Sequence, residues 1–131
     1  MTTTDQSPMA TVCLVDDDAA VLKSISRLLA SDGFGVCAFN EPKSFLAHTL
    51  KNPVPLVVLD VWMNDMDGLE AQEMVSVLSP GTSVIIITGG EDEHTRETAL
   101  RAGVFAFFTK PFDDEQFLSA VRNAMALHPA E

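Results

Sequence analysis

The sequence is poor in cysteine, in basic side chains and in long apolar runs, and each shortage removes a class of protein. Two cysteines in 131 residues, Cys13 and Cys37, are too few for a disulfide-stapled scaffold. Both fall inside apolar, strand-like runs and lack the spacing of paired metal ligands, so they read as small buried hydrophobes. Lys and Arg number 8 against 19 Asp and Glu, a net charge of -11. That balance opposes direct nucleic-acid binding, which relies on basic side chains to neutralise phosphates, and opposes docking on an anionic membrane. It suits a divalent cation, or a partner with basic patches. No apolar stretch approaches the roughly 20 residues of a membrane-spanning helix. The opening residues, MTTTDQSPM, are polar and lack the charged-then-apolar order of a secretory signal. A short disordered tail over 1–9 and a cytoplasmic location are expected.

What is present is a core: 47% of the residues are hydrophobic, enough in this length for one domain without staples. Apolar runs at about 11–15, 34–39, 55–60, 83–88 and 104–109 read as strands. Most lack polar alternation, as expected of strands covered on both faces. Helical patterns alternate with them. The first carries Val21, Leu22, Ile25, Leu28 and Leu29 and stops at Gly33. The second, from Glu41 to Lys51, carries Phe45, Leu46 and Leu50, and Pro53 and Pro55 follow. The third, about 68–79, points Leu69, Met74, Val75 and Leu78 inward before Pro80-Gly81. The fourth, about 92–102, is anchored by Ala99 and Leu100 and closed by Gly103. The last, about 114–127, puts Phe117, Leu118, Val121 and Met125 on one face, with Asp113 or Asp114 as its N-cap. Five βα units imply an α/β, doubly wound parallel sheet, expected in the order 2-1-3-4-5. The domain is expected over 10–128, with a short tail at 129–131 and no second domain.

The polar residues that end these runs carry the chemistry. Asp16 and Asp17 follow the first, Asp60 closes the third, Thr88 the fourth, and Lys110 follows the fifth. In an open parallel sheet those positions reach one edge, where ligands bind. Clustered carboxylates repel one another unless a cation joins them, and an all-oxygen set of this kind suits Mg²⁺. A carboxylate can also act as a nucleophile toward phosphorus. Lys110 and the cation would neutralise phosphoryl oxygens while Thr88 donates a hydrogen bond, because phosphoryl transfer needs mainly positioning and charge neutralisation. Simpler roles exist for each residue. Asp18 is read chiefly as a helix cap, and capping is an alternative for Asp16 and Asp17. Asp60 could form a turn, Lys110 could be a surface lysine, and a Thr at a strand end is common.

VCLVDDD, LVVLDVWMNDMDG, VIIITGG and FAFFTKPF, in this order and spacing, resemble the receiver domain of two-component response regulators from about Thr11 to Leu127. The resemblance implies a flavodoxin-like (βα)5 fold, without implying flavin. It makes Asp60 the phosphoacceptor, Asp17 a direct Mg²⁺ ligand, Asp16 a direct or water-mediated one, and the Trp62 backbone carbonyl another ligand. Thr88 becomes the switch hydroxyl, and Lys110 the partner of the acceptor carboxylate or its phosphate. Lys110-Pro111 becomes a cis peptide. Phe107 matches the rotameric switch aromatic, with ordinary sheet packing as its alternative. The implied partners are a sensor histidine kinase or phosphotransfer protein, and a second copy through the surface of the fourth helix, fifth strand and fifth helix.

Three departures from the family pattern stand out: Asn64 follows Met63 where proline is usual, Trp62 is bulky beside the acceptor, and Thr88-Gly89-Gly90 is glycine-rich. The first rival is a haloacid-dehalogenase-type phosphatase, since Asp16 and Asp18 form an Asp-x-Asp. It leaves Asp60 and Asp67-Gly68 unexplained, and Ala20 stands where that family prefers Thr or Val. The second rival is a pseudo-receiver that binds partners without phosphorylation. The expectation is a phosphoacceptor with Mg²⁺-dependent self-phosphorylation and self-dephosphorylation, not an enzyme with an independent substrate. Kinase, output, oligomeric state and phosphoryl lifetime are not legible, nor is whether the domain stands alone.

Overall fold

Short runs of Val, Ile and Leu make the centre of the molecule, because their branched side chains pack well on a pleated surface. The computed structural model describes residues 9–61, 68–89 and 93–127. Trp62, Met63, Asn64, Asp67 and Gly90 lie outside the described residues, as do the expected tails apart from Met9. The strands are β1 (Met9–Val15), β2 (Phe34–Phe39), β3 (Leu56–Asp60), β4 (Ser83–Thr88) and β5 (Ala106–Thr109). The helices are α1 (Ala19–Ser31), α2 (Pro42–Thr49), α3 (Gly68–Leu78), α4 (Glu93–Arg101) and α5 (Asp114–Ala126), alternating with the strands. All pairings are parallel, in the expected order β2-β1-β3-β4-β5.

Side chains alternate across each strand, so each strand feeds two cores. Val12 and Leu14 join Ile25, Leu29, Phe117 and Val121 under α1 and α5. Cys13 and Val15 turn the other way, toward Phe45, Ala71, Val75 and Ala99 of α2, α3 and α4. This explains the missing polar alternation: every residue of β3 is buried, on one face or the other.

Helix ends follow the expected chemistry. Asp18 caps α1 by accepting from the Ala20 and Val21 amides at 2.9 and 3.4 Å, and Asp113 caps α5 through the Gln116 amide at 2.9 Å. Gly33 and Gly103 follow α1 and α4 with φ of 91° and 95°, in the left-handed region that a Cβ disfavours.

Several expectations need correction. The fifth strand is shorter than expected, although Val104 is buried and the Phe105 amide donates to the Val84 carbonyl at 2.7 Å. Met74, Leu78 and Leu100, expected to pack inward, are 41, 38 and 45% exposed, and Leu50, expected within the second helix, is its C-cap and 67% exposed. On α3 the inward stripe is Ala71, Gln72 and Val75, and Gln72 donates to the Ala102 carbonyl at 3.0 Å. Thr95 is the buried companion of Ala99 on α4. Small or polar side chains take buried positions on α3 and α4, and hydrophobicity alone does not reveal that.

Candidate functional site

The register of β1, β3 and β4 builds the site. Val15 lies opposite Leu59 and Asp60 opposite Ile87, so the chain leaves β1 into Asp16 beside the end of β3. The Asp16 amide donates to the Phe39 carbonyl at 3.2 Å, which ties the β1 exit to the end of β2. Lys110 is set at the far side by its amide, which donates to the Thr88 carbonyl at 2.7 Å. The Lys110-Pro111 peptide is cis.

Carboxylate oxygens of Asp16, Asp17 and Asp60 all lie within 4.8 Å of one another. Asp16 is fully buried, Asp60 is 6% exposed and Asp17 faces solvent. One Asp16 oxygen, Oδ1, accepts from the Asp18 amide at 2.9 Å. The other, Oδ2, is 3.6 Å from Lys110 Nζ, an ion pair too long for a hydrogen bond, and it is buried without a hydrogen-bond partner. Burial pushes the Asp16 carboxyl above its ordinary range; the Asp18 amide and Lys110 pull it down, and the Asp17 and Asp18 charges raise it further. A buried carboxylate oxygen without a donor, beside two more carboxylates, fits a cation that binds oxygen. The three aspartates are the described residues that would hold it.

Thr88, the last residue of β4, is 2% exposed. Phe107 lies opposite Ile86 and its ring is buried, with the Arg96 guanidinium 5.6 Å above it. Arg96 escaped the sequence reading because a cation over an aromatic ring leaves no spacing signal. Asp18, half of the Asp-x-Asp of the phosphatase reading, instead caps α1. Of the expected site residues, the structure joins Asp16, Asp17, Asp60 and Lys110 at one edge and puts Thr88 beside them through Lys110. Trp62 lies outside the described residues. One further group was missed altogether: Cys13, Cys37 and His48 also converge.

Fold and site together define a doubly wound α/β domain with a carboxylate-rich edge at its β1–β3 switch point. The chain belongs to the response regulator receiver domain family of two-component signalling, whose model matches residues 12–122. It is similar to the response regulator protein TodT of Pseudomonas putida, 36% identical over 120 residues, 92% of this chain and 53% of that protein. The chain therefore spans about half the length of such relatives. Among solved structures, it is similar to the BeF3-activated DrrB receiver domain (TM-score 0.81, 31% identity, 90% of this chain and 98% of that one). It is also similar to FixJ-N (TM-score 0.84, 32% identity, 94% and 98%). Among the described residues no helix is long and apolar enough to cross a membrane.

Proposed function

We infer that this domain accepts a phosphoryl group on Asp60 from the phosphohistidine of a sensor kinase or phosphotransfer protein. The observation that carries this reading is the convergence of the Asp16, Asp17 and Asp60 oxygens within 4.8 Å beside the Lys110 ammonium. In the transfer, an Asp60 oxygen forms a bond to phosphorus as the phosphorus–nitrogen bond of the donor breaks. Hydrolysis later returns the free carboxylate and inorganic phosphate. Mg²⁺, when bound, supplies positive charge to the phosphoryl oxygens. Asp16 and Asp17 would hold it together with Asp60, and the role expected of the Trp62 carbonyl belongs to the same proposal. Lys110 balances charge on the phosphoryl group, and Thr88 donates its hydroxyl to it. The reaction is self-phosphorylation and self-dephosphorylation, without an independent substrate.

The donor approaches beside a cleft of about 330 Å³ between α1 and the β5–α5 turn, lined in part by Val21, Leu28, Lys110, Pro111 and Phe112. Phosphorylation biases two arrangements of Thr88 and Phe107, and through them the α4-β5-α5 surface that a partner or second copy reads. A solved relative described as the beryllofluoride-activated NtrC4 receiver domain dimer supports the dimer option. The protein acts in the cytoplasm, where such kinases present their phosphohistidine.

The test is intact mass after incubation with acetyl phosphate and Mg²⁺, beside Asp60→Asn. One phosphoryl adduct that requires both Mg²⁺ and Asp60 is expected. An adduct retained at full stoichiometry in Asp60→Asn overturns the assignment. With no adduct, beryllofluoride binding separates a short-lived phosphate from a pseudo-receiver.

A further inference from the structure

Cys13 and Cys37 are opposite one another in the β1–β2 register, and both side chains pack into the core beneath α2 and α3. His48, in the last turn of α2, reaches the same place. Both sulfurs and an imidazole nitrogen lie within 4.8 Å of one another. Cys13 is buried, whereas Cys37 and His48 are half-buried, so the group runs from the core to the surface. The imidazole is held from two sides: the Phe39 ring is 5.3 Å away, and Asn52 Nδ2 lies 3.4 Å from His48 Nδ1. The Phe39 ring and the Asn52 side chain thus limit how the imidazole can turn, whichever nitrogen faces the sulfurs. Neither the phosphoryl chemistry nor the switch uses any of these side chains.

We propose that Cys13, Cys37 and His48 form a binding site for a thiophilic d¹⁰ cation, Cu(I) or Zn(II), separate from the carboxylate edge. Metal–sulfur bonds of about 2.3 Å and metal–nitrogen bonds of about 2.0 Å require donors roughly 3.4–4.0 Å apart. Rotamer adjustments of about 1 Å in the half-buried Cys37 and His48 side chains would achieve that closure. Binding displaces a proton from each thiol; Zn(II) neutralises the two thiolates, and Cu(I) leaves one net negative charge shared with the half-buried Cys37 side. Metal-free, the Cys13 thiol is pushed up to about 12 by burial first and by Cys37 second, so the sulfur is inert until a cation replaces its proton. Thiolate and imidazole ligands select soft or borderline ions, whereas Mg²⁺ prefers the aspartates. Cu(I) is satisfied by these three ligands; Zn(II) adds a water from the exposed side of Cys37 and His48.

The test titrates the full chain anaerobically, with a non-thiol reductant and millimolar Mg²⁺ covering the carboxylates. Cd²⁺ is the probe for a zinc-type site, and Cu(I) is delivered against bicinchoninate. The expected result is a sulfur-to-metal charge-transfer band saturating at one ion per chain, with a raised melting temperature. Cys37→Ser should remove most of the band and His48→Gln should weaken binding at least about tenfold. Circular dichroism confirms that both variants are folded, and Asp60→Asn should bind as the parent does. Tight Cu(I) with weak Cd²⁺ assigns the three-ligand form, and the reverse assigns the zinc form. The proposal is overturned if no band forms with one equivalent of either ion. It is equally overturned if the band survives in the Cys37→Ser, His48→Gln double variant, or if Mg²⁺ abolishes it.

Discussion

β1 and the residue that follows it anchor two donor clusters, at Cys13 and Asp16, that differ in almost every physical respect. Asp16 gathers Asp17 and Asp60, hard and negatively charged, at the strand's exit. Cys13 gathers Cys37 and His48, two thiols and an imidazole, within the sheet and against α2. The first cluster is held together against its own charge: Lys110 is close, yet one buried Asp16 oxygen has no hydrogen-bond partner. The second carries no such cost, because protonated thiols pack as hydrophobes. The charged set, with Asp16 and Asp60 both buried, sits where strands end beside the Lys110 counterion, whereas the thiols and imidazole run from the core to the surface with no counterion between them.

The largest effect that would break this contrast is chemical. Asp60→Asn should eliminate the phosphoryl adduct while leaving the melting temperature close to the parent's, as read by intact mass and a thermal scan.

Next comes the packing that supports the soft cluster. Phe45 is fully buried and its ring meets Phe39 edge-on at 5.7 Å, and Phe39 in turn lies against His48. Phe45→Ala should cost about 3–5 kcal/mol of stability. Denaturant unfolding reads that loss; a loss under about 1 kcal/mol would mean that α2 is not held by this ring.

A smaller effect of opposite sign belongs to Asp16. Without Mg²⁺, Asp16→Asn should stabilise the protein by roughly 1 kcal/mol, since an amide can donate to the neighbouring carboxylates. The same change should weaken Mg²⁺ binding at least about tenfold, by loss of one anionic ligand. The pH dependence follows from the raised carboxyl. The folded state holds the Asp16 proton more tightly than the unfolded chain does, so this group's contribution falls as pH rises from the unfolded value through the raised folded one. As pH falls through the raised carboxyl value toward the ordinary one, the metal-free parent should lose less stability than Asp16→Asn, and Mg²⁺ affinity should fall on acidification because protons compete for the ligand. Parallel melts of the two proteins read the difference; identical pH profiles would show that Asp16 is not perturbed.

The smallest effect lies far from both clusters. Arg122 on α5 donates to both Asp32 oxygens, at 2.8 and 3.0 Å, and to Glu115 at 2.8 Å, tying α5 to the α1–β2 turn. The Arg122 guanidinium, by hydrogen bond first and charge second, holds the Asp32 carboxyl below its usual range. Its contribution is therefore present above the unfolded carboxyl value and is lost as pH falls through the depressed one. Arg122→Ala should lower the melting temperature only slightly at neutral pH, and less in high salt, because the pair is exposed and screened.

Much of this was legible in the sequence. Continuous apolar runs announced strands covered on both faces, and β2 and β4 have the expected bounds. Asp18, Asp113, Gly33 and Gly103 announced the helix ends, because capping is local chemistry between residues two to four apart. The convergence of Asp16, Asp17, Asp60 and Lys110 was legible because parallel strands must deliver their C-terminal ends to one edge.

What failed depended on contacts between residues distant in sequence. Leu50, Met74, Leu78 and Leu100 have the right hydrophobicity and the wrong direction. A helix's inward stripe is set by where it meets the sheet, and there Ala71, Gln72 and Thr95 fit better. Linear spacing, a proper test for ligands on one loop, is blind to the β1–β2 register that pairs Cys13 with Cys37. Hydrophobic period and strand-end polarity, both local in the chain, thus determined the fold class and the carboxylate edge. The tertiary structure alone decided which helix faces pack, that Arg96 covers Phe107, and that two thiols and an imidazole meet. Those outcomes depend on register and on helix rotation about the sheet, which no single stretch of sequence encodes.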